Sequence, residues 1–371
     1  MLKFGILGLG QAGSNIAEYA ITKGFTSVAV NTAKVDLNLL KYVPAENRLF
    51  LNGYNGAGRN RDIGKEAIVE NAEALFELCK SKFEDCDVVF VAAAGGGGTG
   101  SGALPVAVDI LLEMFSVVNV IFVLPDNLES PSSKMNAYDC FSQLSENTQV
   151  GSIFIIDNQK GKDLIPKDPK FKVHKTINKQ IIDILYEINQ LTERFSYTNN
   201  FDDRDLLDIL YTRGCTLISK AVCNDNLYSD NDVSSLIRSS WTETYSPVYN
   251  TENILKAAIL GKIHHNASGN INLEQIFNGN CPYDIKDSLY EPQGDQTCFY
   301  SIFSGLEFPQ DRLYRMKNDI EKVQESLIKR IDTSQNQKIN TVDWKINAPR
   351  IDKQLQNKDS ISLSEKLKKF K

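Results

Sequence analysis

A chain of 371 residues, 42% hydrophobic and 24% charged, is long enough for two domains with sizeable cores. It opens directly into an apolar stretch with no basic leader or cleavage site, and no apolar run reaches membrane-spanning length, so a cytoplasmic protein without membrane contact is expected. Seven cysteines without a C-x-x-C pair argue against a disulfide framework or a zinc ribbon, and the three histidines argue against a histidine-based metal site or a Ser-His-Asp triad. The net charge of −6 is uneven: from Ile331 onward nine basic and five acidic residues give +4, leaving −10 on the rest. An acidic body with a basic tail predicts a body that does not coat nucleic acid and a tail that meets something acidic.

In chain order, the apolar run Phe4 to Leu9 predicts a strand, and Gly8 to Asn15 (GLGQAGSN) a loop before a helical stretch at Ile16 to Ile21. This loop contains G-x-G-x-x-G at Gly8, Gly10 and Gly13, which by itself fits a dinucleotide-binding Rossmann domain. An NAD-dependent oxidoreductase would place Asp or Glu at the end of the next strand, Val28 to Val30, but Asn31 and Thr32 stand there. Gly53 to Gly64 (GYNGAGRNRDIG) precedes a helical pattern from Ala67 to Leu78. Then the buried-looking run Val88 to Val91 feeds Ala92 to Gly102, AAAGGGGTGSG, with a helix predicted from Ala103 to Phe115. Six glycines in the eight residues from Gly95 to Gly102 remove nearly every Cβ from a strand-to-helix turn. Such a turn aims backbone N–H groups inward and adds the positive end of the helix dipole, so phosphate is the natural ligand. It is not a P-loop, because Ser101 stands where that motif requires lysine.

GGGGTGSG resembles the signature phosphate loop of the tubulin/FtsZ family, and GLGQAGSN and AVNTAKVDL resemble that family's first nucleotide loop and second strand with its loop. The resemblance covers about residues 1 to 310. It implies an α/β fold: a Rossmann-like GTPase domain with a parallel sheet (1–171), a long central helix (172–199), a second α+β domain with a catalytic loop at its start (200–309), a C-terminal helix (310–331) and a flexible basic tail (332–371). It implies GTP or GDP with Mg²⁺ as cofactors. It places at the nucleotide Gly10, Gln11, Ala12, Asn15, Asn31, Gly58 of the GAGRN turn, Ala94, Gly95, Gly96, Gly97, Gly98, Thr99 and Gly100. After a predicted strand at Val117 to Leu124, Glu129 and Lys134 resemble the family's ribose contacts, with Lys replacing Arg and the spacing one residue longer. Asn158, after a strand at Ile153 to Ile156, and Asn178 resemble its base contacts.

Apolar residues at 173, 177, 181, 185, 188, 191 and 195 set the long helix from Lys172 to Phe195. Next, Asn200, Asp202 and Asp205 form N-x-D-x-x-D, which resembles the family loop that enters the neighbouring subunit's nucleotide site. Carboxylates there can position a water in line with the γ-phosphate, and hydrolysis then waits for assembly. The same acids also suit an N-cap and first turn for a helix at Asp205 to Leu210. GCTLISKAV, ENILKAAILGKI, Ile271 to Ile276 and CFYSIFSGL predict alternating strands and helices, and Gln310 to Ile331 a surface helix.

The implied activity is that of a cytoskeletal GTPase polymerising head to tail. No short hydrophobic peptide with a proline, as in division proteins, ends the chain, and no acidic tail, as in tubulins. A helical extension with a basic tail resembles the family's plasmid and phage segregation branch, whose tail meets a DNA-bound adaptor protein. A phage DNA-positioning tubulin, an FtsZ-like division protein and a scaffold with negligible hydrolysis are the alternatives.

Overall fold

A computed structural model describes residues 1–223, 229–247, 250–264, 269–291 and 296–336. The chain runs β1 (Phe4–Leu9), α1 (Gly10–Ala20), β2 (Thr26–Asn31), α2 (Lys34–Asn38), β3 (Arg48–Phe50), α3 (Arg61–Glu70), α4 (Ala72–Phe83), β4 (Val88–Ala94) and α5 (Thr99–Leu112). It continues through β5 (Val118–Leu124), α6 (Pro131–Glu146), β6 (Val150–Asp157), α7 (Asn158–Leu164), α8 (Lys170–Leu191) and α9 (Asp203–Leu210). The remainder is β7 (Gly214–Cys223), α10 (Asp230–Thr242), β8 (Lys256–Lys262), α11 (Leu273–Ile276), β9 (Asp284–Tyr290), β10 (Thr297–Leu306) and α12 (Gln310–Asn336).

Among the described residues the strands form one sheet in the order β3-β2-β1-β4-β5-β6-β7-β10-β8-β9. From β3 to β7 all neighbours are parallel; β10 is antiparallel to both β7 and β8, and β8 is parallel to β9. Parallel strands buried on both faces need near-continuous apolar runs, which is why VVFV in β4 and VNVIFVL in β5 carry almost no polar residues. The first six strands follow the doubly wound order 3-2-1-4-5-6, which reverses direction between β1 and β4.

One continuous set of buried side chains packs α1, α8 and α9 against the sheet, from Phe4 and Phe90 through Phe154 to Tyr300 and Ile302. Phe90 makes edge-to-face contacts with Phe4 (5.5 Å) and Phe154 (5.8 Å), the geometry favoured by the ring quadrupoles. The stripe expected for α8 is buried at Val173, Ile177, Ile181, Leu185, Ile188 and Leu191, but the helix ends there and Phe195 is 82% exposed. Residues Met1–Lys317 form one compact unit, with the two halves of the sequence joined through the pairing of β6 with β7. A second unit begins at Asn318, and its described part is the remainder of α12. The expected C-terminal helix at 310–331 thus runs to Asn336; residues 337–371 of the expected tail lie outside the described residues.

Several local expectations need correction. The stretch from Gly10 to Asn15 is the first turn and a half of α1, and Thr99 to Gly102 are the first turn of α5, so the true glycine turn is only Gly95 to Gly98. Packing overrides the poor helix propensity of glycine here: a Cβ on Gly13 would stand 2.1 Å from the carbonyl oxygen of Ala92, so only glycine lets α1 lie directly on β4. The single helix expected over Ala67 to Leu78 is two, broken at Asn71, whose side chain bonds back to the Ala67 carbonyl. The apolar segment Ile271 to Ile276 holds the short helix α11.

Candidate functional site

Helix N-termini are the informative feature, because each leaves backbone N–H groups without intrahelical partners. Side chains cap several of them: Asn60 accepts from the Asp62 N–H at α3, Ser130 from the Ser133 N–H at α6, and Asp157 from the Gln159 N–H at α7. At α1 and α5 the flanking residues are Leu9 and Gly98, neither giving a side-chain cap, and neither first turn holds an acid. These two uncapped helices begin at the C-terminal ends of β1 and β4, the adjacent strands where the sheet order reverses. Two sets of free donors and two positive dipole ends therefore converge where an open α/β sheet binds its ligand.

A cleft of about 350 Å³ lies there. Of the residues expected at the nucleotide, Gly10, Gln11, Ala12, Asn31, Gly58, Ala94, Gly97, Gly98, Thr99 and Gly100 line it. Gly10 makes the strand-to-helix turn at φ +66°, a conformation that favours glycine. At Gly97 a Cβ would meet nothing closer than the Ala94 oxygen at 4.0 Å, so this glycine leaves open space rather than accommodating a neighbour. Thr32 and Thr99 share a hydroxyl hydrogen bond of 2.7 Å, and Asn31 donates to Asp36 (3.0 Å) while accepting from the Ala33 N–H.

A smaller cavity of about 140 Å³ adjoins the cleft, sharing Arg59, Ala94 and Gly97, and is lined further by Gly96, Pro125, Glu129, Ser133 and Asn158. Lys170 spans its rim, with its ammonium 3.1 Å from Asp126 and 3.7 Å from Glu129. Burial pushes the Asp126 carboxyl up, but the Lys170 ammonium and the Leu128 N–H outweigh it and hold the acid below its usual range.

Four expected residues line neither cavity. Asn15 is exposed on α1, Gly95 sits against Phe122 and Ala137, Lys134 is buried in α6, and Asn178 is half-buried on α8. Sequence reading missed Thr32, Asp36 and Arg59, which line the cleft. Arg59 has φ 63°, donates to the Ser130 hydroxyl (3.3 Å) and borders both cavities. An arginine inside the glycine-rich stretch Gly53 to Gly64 was the available signal.

Asn200, Asp202 and Asp205 lie at the other end of the sheet. Helix α8 starts beside the smaller cavity, where Lys170 pairs with Glu129, and its 22 residues run about 33 Å to the beginning of β1. There Asn189 exchanges hydrogen bonds with both the N–H and the carbonyl of Leu2. The acidic loop follows directly, pinned by the buried Phe201. Asp202 caps α9 by accepting from the Arg204 and Asp205 N–H groups, and Asp205 accepts in return from the Asp202 N–H, a full capping box. Asp205 also pairs with Lys286 at 3.1 Å, which raises the ammonium's pKa. Asp202 is exposed; Asn200 is exposed.

Residues 3–166 match the family described as Tubulin/FtsZ family, GTPase domain. The tubulin-like protein TubZ of Bacillus cereus is 28% identical over 367 residues, covering 86% of this chain and 84% of its own length. The tubulin-like protein CetZ of Pyrococcus horikoshii is 28% identical over 303 residues, 75% of this chain and 80% of its own. Among solved structures, the GTPγS-form protofilament of Bacillus thuringiensis serovar israelensis TubZ superposes with a TM-score of 0.75 at 20% identity, covering 90% and 94% of the two chains. The helical model of the two-stranded TubZ-Bt filament gives 0.76 at 19% identity, covering 92% and 94%. The family match removes the NAD-dependent oxidoreductase reading. No helix among the described residues is long and apolar enough to cross a membrane. Residues 3–166 thus carry a tubulin/FtsZ-family GTPase domain, in a chain that has the tubulin/FtsZ fold and is similar to TubZ and CetZ along most of its length.

Proposed function

We propose that this GTPase polymerises head to tail and hydrolyses GTP at the junctions, the cleft of one subunit receiving the Asn200 to Asp205 loop of the next. The observation that carries this reading is the separation of the two constellations: the uncapped starts of α1 and α5 at one end of the sheet, and the acids at the far end of a helix about 33 Å long. A phosphate held at the first cannot meet a carboxylate from the second within one chain. A contact between unlike ends of two copies does not close, and so propagates as a filament.

In this reading Gly10 and Gly97 to Gly100 hold the phosphates through backbone N–H groups, and Arg59 adds charge. Mg²⁺ bound with the nucleotide would offset the charge of the phosphates, and Asp36 is the carboxylate lining the cleft that could help hold it. Asp202 and Asp205 of the next subunit orient the attacking water. Glu129 and Asn158 line the neighbouring cavity, which takes the ribose and guanine. A buried site of this kind rejects a base that leaves its polar groups unpaired, so GTP is preferred over ATP. The reading is tested by measuring GTP binding, filament formation and phosphate release on one preparation; protein that binds and hydrolyses GTP equally well as a monomer overturns it.

The biological role we infer is segregation of plasmid or phage DNA. The support is the similarity to TubZ along most of both chains, together with the +4 segment from Ile331 onward on an acidic body. That tail meets a DNA-bound adaptor protein. Deleting Thr333 to Lys371 leaves GTP binding and assembly intact and abolishes co-pelleting of adaptor-bound DNA with filaments; undiminished co-pelleting removes the tail from that role.

A further inference from the structure

Arg312 is 9% exposed, on the first turn of α12, and its guanidinium bonds away from its own helix through Nε and Nη2. Its Nε donates to Asp157 Oδ2 (2.7 Å), while its Nη2 donates to Asp157 Oδ1 (3.2 Å) and to the Pro125 carbonyl (2.7 Å). One side chain therefore clasps the C-terminal ends of β5 and β6, 3% exposed Asp157 included. Asp157 Oδ1 also caps α7 by accepting from the Gln159 N–H (3.0 Å), and Gln159 Oε1 accepts from the Asn127 N–H (2.9 Å). The chain Arg312, Asp157, Gln159, Asn127 fixes both the segment leading to Glu129 and the start of α7, where Asn158 sits. Pro125, Glu129 and Asn158 line the smaller cavity. The root of α12 is anchored independently: Phe308 packs edge-on against Phe141 of α6 (5.3 Å), and Met316 is fully buried.

We propose that Arg312 is a positioning residue for nucleotide recognition, which makes the first turn of the C-terminal helix part of the base-binding end of the site. This rests on the reading above that the smaller cavity takes the ribose and base. Arginine is required because its planar fork satisfies both carboxylate oxygens and a carbonyl at once, which a lysine ammonium cannot. Lysine does preserve the opposite charge beside buried Asp157, whose loss would unfold the region. The clasp touches no cleft-lining group at the phosphate end, so its effect falls on discrimination between bases rather than on phosphate binding.

The test is equilibrium binding of GTP and ATP to full-length wild type, Arg312→Lys and Gln159→Ala, with thermal melts alongside. Arg312→Lys is expected to stay folded and to lose about tenfold or more in GTP-over-ATP preference, because small misplacements of positioning groups carry large penalties. Gln159→Ala, which leaves no buried charge unpaired, is expected to lose preference in the same direction by a smaller factor. A purely structural role lowers the melting temperature and leaves the preference intact. Arg312→Lys that folds with wild-type preference overturns the proposal; if that variant does not fold, unchanged preference in Gln159→Ala overturns it. A wild type without preference sinks the reading of the cavity and this inference with it, whereas a preference kept by the variants sinks this inference alone.

Discussion

At the cleft end of the sheet, charge is met by backbone: the first turns of α1 and α5 present N–H groups that no side chain caps. At the opposite end charge is met by side chains, and Asp202 and Asp205 are already occupied as a capping box and as the partner of Lys286. The difference teaches how to read each. Donors left free at two converging helix ends have no local use and point to a ligand, whereas acids that complete a cap have a sufficient structural reason to exist. Their second role, in the next subunit, has to be tested by function.

The largest effect that separates the two ends is expected at Asp205. Asp205→Asn should bind GTP and assemble, yet lose ~100-fold or more in turnover, leaving long-lived filaments; Asp205→Ala should in addition lose about 1 kcal/mol of stability with the cap. Phosphate release and filament lifetime, measured together, decide this, and turnover at the wild-type rate confines Asp205 to capping.

Glycines at the cleft end should divide sharply. Gly97→Ala has room for its Cβ and should melt like the wild type while losing about tenfold in GTP affinity, since the methyl group points into ligand space. Gly13→Ala drives a Cβ into the Ala92 carbonyl and should fail to fold stably. Calorimetric titration and melting curves on the pair distinguish a ligand glycine from a packing glycine.

A smaller effect is expected beside the acidic loop, where Phe195 (82% exposed) and Tyr197 (63%) form an edge-to-face pair in open solvent. Replacing both by alanine should raise the concentration needed for assembly by about fivefold, as loss of an aromatic anchor does, with GTP affinity unchanged. Light scattering against protein concentration measures it. The smallest effect is a trade at α1: Gln11→Asp should stabilise the fold by about 0.5 kcal/mol through the uncapped helix end while weakening GTP binding. A variant that is more stable and binds GTP as tightly would mean that the free N–H groups of α1 serve no anion.

The sequence made the cleft legible because its parts are local. Strand, glycine turn and helix follow one another at Phe4 to Ala20 and again at Val88 to Leu112, and glycine has few other reasons to cluster. Element ends were less legible: Gly10 and Thr99 begin helices because packing against the sheet overrides propensity. Arg59 and Asp36 were missed because their place at the cleft depends on how loops fold back, not on neighbours in sequence. The Arg312 clasp joins residues 155 apart, beyond the reach of any local pattern. Phe195 shows the limit of periodicity, continuing the α8 rhythm after the helix has stopped.

The most direct test of the account is GTPase activity per subunit as a function of protein concentration. The account predicts negligible activity below a critical concentration and a steep rise above it, in step with filament formation, because each site needs a cleft from one copy and an acidic loop from another. Activity per subunit that stays constant from dilute monomer through assembled filament would contradict it.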